Sequence, residues 1–300
     1  MIFSRFASDL LALAPAVLAA SLQQVPNFGY NPTNIQMYIY VPDKTATEPP
    51  IVVALHPCGG SAQSFFSGTT LPKAADKLGF ILIYPSTTKY DHCWDVNNPA
   101  SLRHNGGGDA GGIVSMVNYT LTKARADPYS VFVMGASSGA MMTNVLAGSY
   151  PDVFAGGASY SGVPFGCLIG STGEPTPSGS NQSCASGAIT HSPAQWASFV
   201  RNAYPGYAGR RPSMLIAHGL ADGLVRPANA YAQLAQWSAV LGLVKTNDTP
   251  ANTDEGSDYE EITYGNGSQL VGYLGKAVGH WAPTNTPALL KFWKLDKPLD

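Results

Sequence analysis

At 300 residues, with 45% hydrophobic side chains and a mean hydropathy of −0.01, the chain carries enough apolar material for a sizeable core. Charged residues make up 12% and the formal net charge is −2, against a globular norm of about 25% charged. No basic cluster is present to neutralise a row of phosphates, which excludes nucleic acid as a partner.

The first residues read as a targeting segment. Arg5 supplies a positive region, and the apolar run Leu10–Ala20 (LLALAPAVLAA) ends in small residues, with Asp9 at its edge. About eleven apolar residues fall short of the roughly 20 that a bilayer-spanning helix needs. A secretory signal over residues 1–20 is therefore expected, not a membrane anchor, with cleavage near Ala19 or Ala20 and an extracellular product.

Beyond it, short apolar runs alternate with helical patterns. Ile51–Leu55 (IVVAL), Phe80–Tyr84 (FILIY), Val131–Met134 (VFVM) and Met214–Ala217 (MLIA) have the length and continuity of buried strands. Helices are expected over Ala110–Lys123, with Asp109 as N-cap, and over Gly139–Ala147, Ala228–Leu241 and Pro287–Trp293. Gln269–Leu274 is strand-like. This alternation predicts an α/β fold whose mostly parallel sheet has helices on both faces. No internal repeat or Pro/Ser/Thr-rich linker divides it, so residues 21–300 are expected to form one domain. Trp196 and Trp237 lie in helical patterns and read as core.

Cys58, Cys93, Cys167 and Cys184 fit an oxidising compartment, and their spacing lacks the short gaps of a zinc knuckle. Of the three possible connectivities, Cys58–Cys93 with Cys167–Cys184 is favoured, because each pair closes a local loop beside a predicted strand end. Glycosylation sequons occur at Asn118, Asn181 and Asn266; at Asn247 a proline follows the threonine.

Gly135-Ala136-Ser137-Ser138-Gly139 is the motif that carries chemistry. It follows a predicted strand and precedes an apolar helical run, which is the setting of a nucleophile elbow. A glycine-rich turn without chemistry is the plain alternative; the strand–turn–helix context favours the elbow. A serine hydroxyl is a weak nucleophile until a base takes its proton, so a histidine oriented by a carboxylate must follow. Chain order in such hydrolases is Ser, then Asp or Glu, then His. Asp222, in His218-Gly219-Leu220-Ala221-Asp222 beyond a strand end, and His280, in a later loop, meet it. His191 and His218 precede Asp222 and break it; His56, His92 and His104 precede the serine; Asp127 and Asp152 read as caps.

Acyl transfer also needs donors for the developing oxyanion. The amides of Ser138 and of Cys58, in Leu55-His56-Pro57-Cys58-Gly59-Gly60, are the candidates. Trp94, Tyr160 and Trp281 stand near these loops as stacking surfaces for a sugar or phenolic ring, with ordinary packing as the alternative. Gly106–Gly111 matches the dinucleotide pattern G-x-G-x-x-G, but no strand precedes it. No metal-binding signature appears, and no cofactor is expected.

With these residues in place, the chain resembles fungal esterases of carbohydrate esterase family one. That group comprises acetylxylan esterases and type B feruloyl esterases, and is related to polyhydroxybutyrate depolymerases. The resemblance runs from about SLQQVPNFG to the C-terminus. NPTNIQMYIYVPDK, LHPCGGSAQ, GFILIYPST, CWDV, GIVSMVNYTL, SSGAMMTNVLAGSYPDVFAGGASYSGVP, YPGY, HGLAD and VGH carry it. It implies an α/β-hydrolase fold, Ser137, Asp222 and His280 as triad, and the amides of Cys58 and Ser138 as oxyanion hole. It also implies a monomeric enzyme acting on xylan or another plant cell-wall polysaccharide ester, and leaves acetyl and feruloyl open as the acyl group. CWDV and GGGD look like the acetylxylan members, whereas Ser178–Ser183, lacking a bulky ring before Cys184, looks like the feruloyl members. A polyester depolymerase and a catalytically silent carbohydrate-binding module are the alternatives.

Overall fold

A computed structural model describes residues 20–89, 91–169, 182–253, 256–282 and 284–297. The expected signal segment up to residue 19, the sequon at Asn181 and most of the Ser178–Ser183 stretch lie outside the described residues. In chain order the elements are β1 (Gln23–Val25), β2 (Gln36–Tyr40), β3 (Ile51–Leu55), α1 (Ala62–Gly68), α2 (Leu71–Leu78) and β4 (Ile81–Ser86). Then come α3 (Gly108–Ala124), β5 (Val131–Ala136), α4 (Ser138–Ser149), β6 (Gly156–Tyr160), α5 (Gln182–Ala185) and α6 (Pro193–Ala203). The chain closes with β7 (Ser213–Gly219), α7 (Ala228–Leu241), β8 (Lys245–Thr253), β9 (Gly256–Tyr264), β10 (Leu270–Gly275) and α8 (Thr286–Trp293).

The strands form one sheet in the order β1-β2-β4-β3-β5-β6-β7-β10-β9-β8. Its centre, β4 through β10, is parallel, while β1, β2, β9 and β8 add antiparallel edges. The parallel centre is covered on both faces, and every residue of β3, β4 and β7 is accordingly buried, most of them apolar. Alternate side chains serve different cores. Val53 and Leu55 pack with Met116, Leu146 and Trp237 on one face; Val52 and Ala54 pack with Phe65, Leu71 and Trp293 on the other. Trp196 and Trp237 are core residues, as expected.

From β3 the chain passes to β4 on one side and then crosses to β5 on the other. The crevice at the carboxyl ends of β3 and β5 is thus the topological switch point, where open α/β sheets hold their ligands. One boundary needs correction. Asp109 does not cap α3: the cap is Gly107, at φ 105°, a conformation suited to glycine. Asp109 lies inside the first turn, and its carboxylate is drawn away to Lys89 Nζ (2.9 Å) and the Asp95 amide (3.0 Å). No helix of the described residues is long and apolar enough to cross a membrane.

Candidate active site

Ser137 ends the turn from β5 into α4 with φ 53° and ψ −117°. A positive φ on a non-glycine residue costs energy that the surrounding structure must hold in place. Here the Ser137 amide donates to Tyr160 O (2.9 Å), and Ser137 O accepts from the Met141 amide (3.0 Å). Gly139 is obligatory beside it, because a Cβ there would sit 2.2 Å from Leu55 O and 2.8 Å from His56 O. The missing side chain lets α4 rest directly on the end of β3.

His280, in the loop after β10, brings Nε2 to 2.9 Å from Ser137 Oγ and Nδ1 to 2.8 Å from Asp222 Oδ2. Asp222 follows β7, parallel neighbour of β10. Its Oδ1 accepts from the amides of Leu224 (2.8 Å) and Val225 (2.9 Å). Burial acts to raise the Asp222 carboxyl, but hydrogen bonds from His218, His280 and the Val225 amide outweigh it and hold the group well below the usual carboxylate range. It therefore stays ionised, as an orienter of an imidazole must be.

His218 is a residue that sequence order set aside. Its Nε2 donates to Val225 O at 2.8 Å and lies 3.3 Å from Asp222 Oδ2, with the side chain fully buried. Because Val225 O can only accept, Nε2 carries the proton. The ring thus fastens the turn bearing Asp222 from behind. The i,i+4 spacing of His218 and Asp222 was the available signal, but a reading centred on chain order passed over it.

The loop after β3 holds Cys58, which is bonded to Cys93, while Cys167 is bonded to Cys184. These are the two favoured pairings. Ser138 opens α4, so its amide is one of the four with no partner inside the helix. His56, the first residue of the loop after β3, is fully buried. Its Nδ1 donates to Pro57 O (2.8 Å) and its Nε2 accepts from the Thr87 amide (3.3 Å). Burial lowers His56 to about 4, so the ring is neutral and both nitrogens are matched.

Two of the three expected stacking surfaces are corrected. Trp94 and Tyr160 are 0% and 1% exposed and present no ring to a substrate. Trp94 is enclosed because its indole donates to His56 O (2.9 Å) and its ring lies 4.9 Å from that of His56. Tyr160 is the last residue of β6, in the middle of the sheet. Trp281, by contrast, is 66% exposed, with its ring centre 5.3 Å from that of His280. Asn118 and Asn266 are both exposed. Among the described residues no group of three or more His, Cys, Asp or Glu side chains is arranged to hold a metal ion.

The family model described as esterase PHB depolymerase matches residues 35–262. Feruloyl esterase B of Neurospora crassa is 57% identical over 95% of this chain and 97% of its own. Probable acetylxylan esterase A of Aspergillus fumigatus is 44% identical over 90% of this chain and 72% of its own. Among solved structures, an acetyl xylan esterase from Aspergillus awamori superposes with a TM-score of 0.87 at 40% identity, covering 92% of this chain and 99% of that one.

Proposed function

The chain belongs to the esterase PHB depolymerase family, and on that premise we propose that it is a secreted serine esterase that releases ferulate from plant cell-wall xylan. That it is a carboxylic-ester hydrolase follows from the family itself. The observation that carries the serine-esterase reading is the unbroken hydrogen-bonded series Asp222–His280–Ser137, set at the switch point of the sheet.

In this mechanism Ser137 Oγ attacks the ester carbonyl while His280 Nε2 takes its proton. The tetrahedral oxyanion is held by the amides of Cys58 and Ser138, and ionised Asp222 stabilises the imidazolium. The C–O bond to the sugar breaks as His280 returns the proton to the departing hydroxyl. Water then attacks the acyl-serine by the same route and frees the acid and Ser137 Oγ–H. Exposed Trp281, next to His280, offers a ring face to the sugar or phenolic part of the substrate.

Ferulate is preferred over acetate as the acyl group on two grounds. The relatives at 57% and 56% identity are feruloyl esterases, whereas those at 44% are acetylxylan esterases. Ser178–Ser183 also lacks a bulky ring to narrow an acyl pocket. Residues 21–300 form one esterase domain in this reading, and residues 1–20 direct its export. Two disulfides suit an extracellular site.

The test is to incubate the purified protein and a Ser137→Ala variant with acetylated, feruloylated arabinoxylan and quantify the acids released. Wild type should free ferulate, and the variant should fold normally yet lose nearly all turnover. Acetate with little ferulate would reassign the acyl group. Release of neither acid, with cleavage of a polyester film, would move the substrate to polyhydroxybutyrate. Retained turnover in Ser137→Ala would sink the triad.

A further inference from the structure

Trp94 gives up solvent contact entirely and spends both of its nitrogens on the active-site scaffold. Its backbone amide donates to Ser138 Oγ at 2.9 Å, and its indole Nε1 donates to His56 O at 2.9 Å. The residue before it, Cys93, is disulfide-bonded to Cys58. His56 O is also, with Leu55 O, one of the atoms against which Gly139 is packed. The two-residue segment Cys93–Trp94 thus holds both structures that carry the oxyanion amides: the loop after β3 with Cys58, and the first turn of α4 with Ser138.

We propose that Trp94 and the Ser138 hydroxyl are positioning residues that clamp the two oxyanion-binding amides at a fixed separation. The proposal rests on the reading of Cys58 and Ser138 as the oxyanion hole. These amides lie on segments 80 residues apart in sequence (138 minus 58), with no strand pairing between the loop and the helix themselves. An oxyanion hole works only if its donors already point at the place where charge will develop, since reorganisation during the reaction cancels the gain. The clamp supplies that fixed geometry through one covalent bond and two hydrogen bonds. Because Trp94 is fully buried, loss of the Ser138 hydroxyl leaves its amide without a partner and without water to replace one. The first turn of α4 is then free to shift relative to the loop. Misplaced amides weaken binding of the transition state, not of the ground-state ester.

Ser138→Ala tests this, because it keeps the backbone amide and removes only the side-chain acceptor. On an aryl acetate, kcat should fall about tenfold, less than the loss of a whole donor, with KM within about twofold. The inhibition constant of an alkylboronic acid, which places an anionic oxygen where the oxyanion forms, should rise in the same proportion. Trp94→Phe, which keeps the backbone donor and removes the indole N–H, should give the same pattern. A folded Ser138→Ala enzyme with kcat and boronate affinity within about twofold of wild type overturns the clamp. So does a loss of activity matched by an equal loss of folded protein. Ser137→Ala assayed in parallel separates the two failures. If it is dead while Ser138→Ala is unaffected, only the clamp falls. If it is active, the reading of the site falls with it.

Discussion

Burial holds the His56 imidazole down at about 4 and pushes the Asp95 carboxyl up to about 6, the latter helped by neighbouring Asp109 and opposed by Lys89, Ser101 and Asn98. These two groups act on stability in opposite directions. His56 is lowered from 6.5, so the unfolded chain binds its proton first, and the stability it contributes is lost as pH falls from 6.5 to 4. Asp95 is raised from 3.8, so the folded chain binds the proton more tightly, and stability is lost as pH rises from 3.8 to 6. Each effect reaches roughly 3 kcal/mol at most, and over the shared window they offset. Wild type should therefore show little net dependence from this pair. In urea unfolding at pH 4, 5 and 6, the stability of His56→Gln should drop progressively further below wild type as pH rises. That of Asp95→Asn should shift in the variant's favour over the same range. A gap independent of pH in both variants would mean that neither group is perturbed in this way.

Among the elements, the two disulfides divide their labour by what they join. Cys58–Cys93 closes 35 residues and Cys167–Cys184 closes 17, which in the chain-entropy picture gives about 4 and about 3 kcal/mol. Replacing either pair by serine should lower stability by amounts of that order. Only the first pair touches the loop proposed to hold the oxyanion, so Cys58→Ser/Cys93→Ser should lose more kcat than Cys167→Ser/Cys184→Ser, measured well below both melting temperatures. Equal kcat losses would remove the disulfide from the positioning argument. The same elements show what a sequence can reveal. The strands β3, β4, β5 and β7 were legible because burial on both faces writes a continuous apolar run. β6, Gly156–Tyr160, is equally buried but built of small residues: a Cβ on Gly157 would meet Met214 at 2.8 Å, so its neighbours fill the space that side chains would otherwise announce. Ser137, Asp222 and His280 were legible because chain order and flanking strands constrain them. The placing of Trp94 was not, since its contacts are with His56, 38 residues away, and Ser138, 44 residues away, and no local pattern encodes them. His218 was hidden by the same rule of order that singled out Asp222.

At the level of the whole molecule, the site is a property of the assembled sheet. Ser137 and His280 are 143 residues apart, His280 and Asp222 are 58 apart, and they stand on the loops after β5, β10 and β7. Each of those strands contributes to cores on both faces: Val133 to one and Met134 to the other in β5, Ile216 and Leu215 in β7, Leu270 and Val271 in β10. Neither core can dissolve without exposing strands that the other needs, so the chain should unfold as one unit although it exceeds the size at which two-state behaviour is usual. In a urea titration, ester hydrolysis, the near-ultraviolet dichroism of its 5 tryptophans and 15 tyrosines, and the far-ultraviolet signal should then share one midpoint. The edge strands β8 and β9 are the place where this would fail. They pair with each other and, through β9, with β10 alone, and β8 is exposed along its first residues. An early far-ultraviolet phase with activity intact would assign that edge to a separately melting unit. It would also confine the cooperative esterase to the strands from β1 through β7 together with β10. Coincident transitions mean that β9, through Ile262 in the core shared with Leu234 and Leu270, ties the edge to the strand that delivers His280.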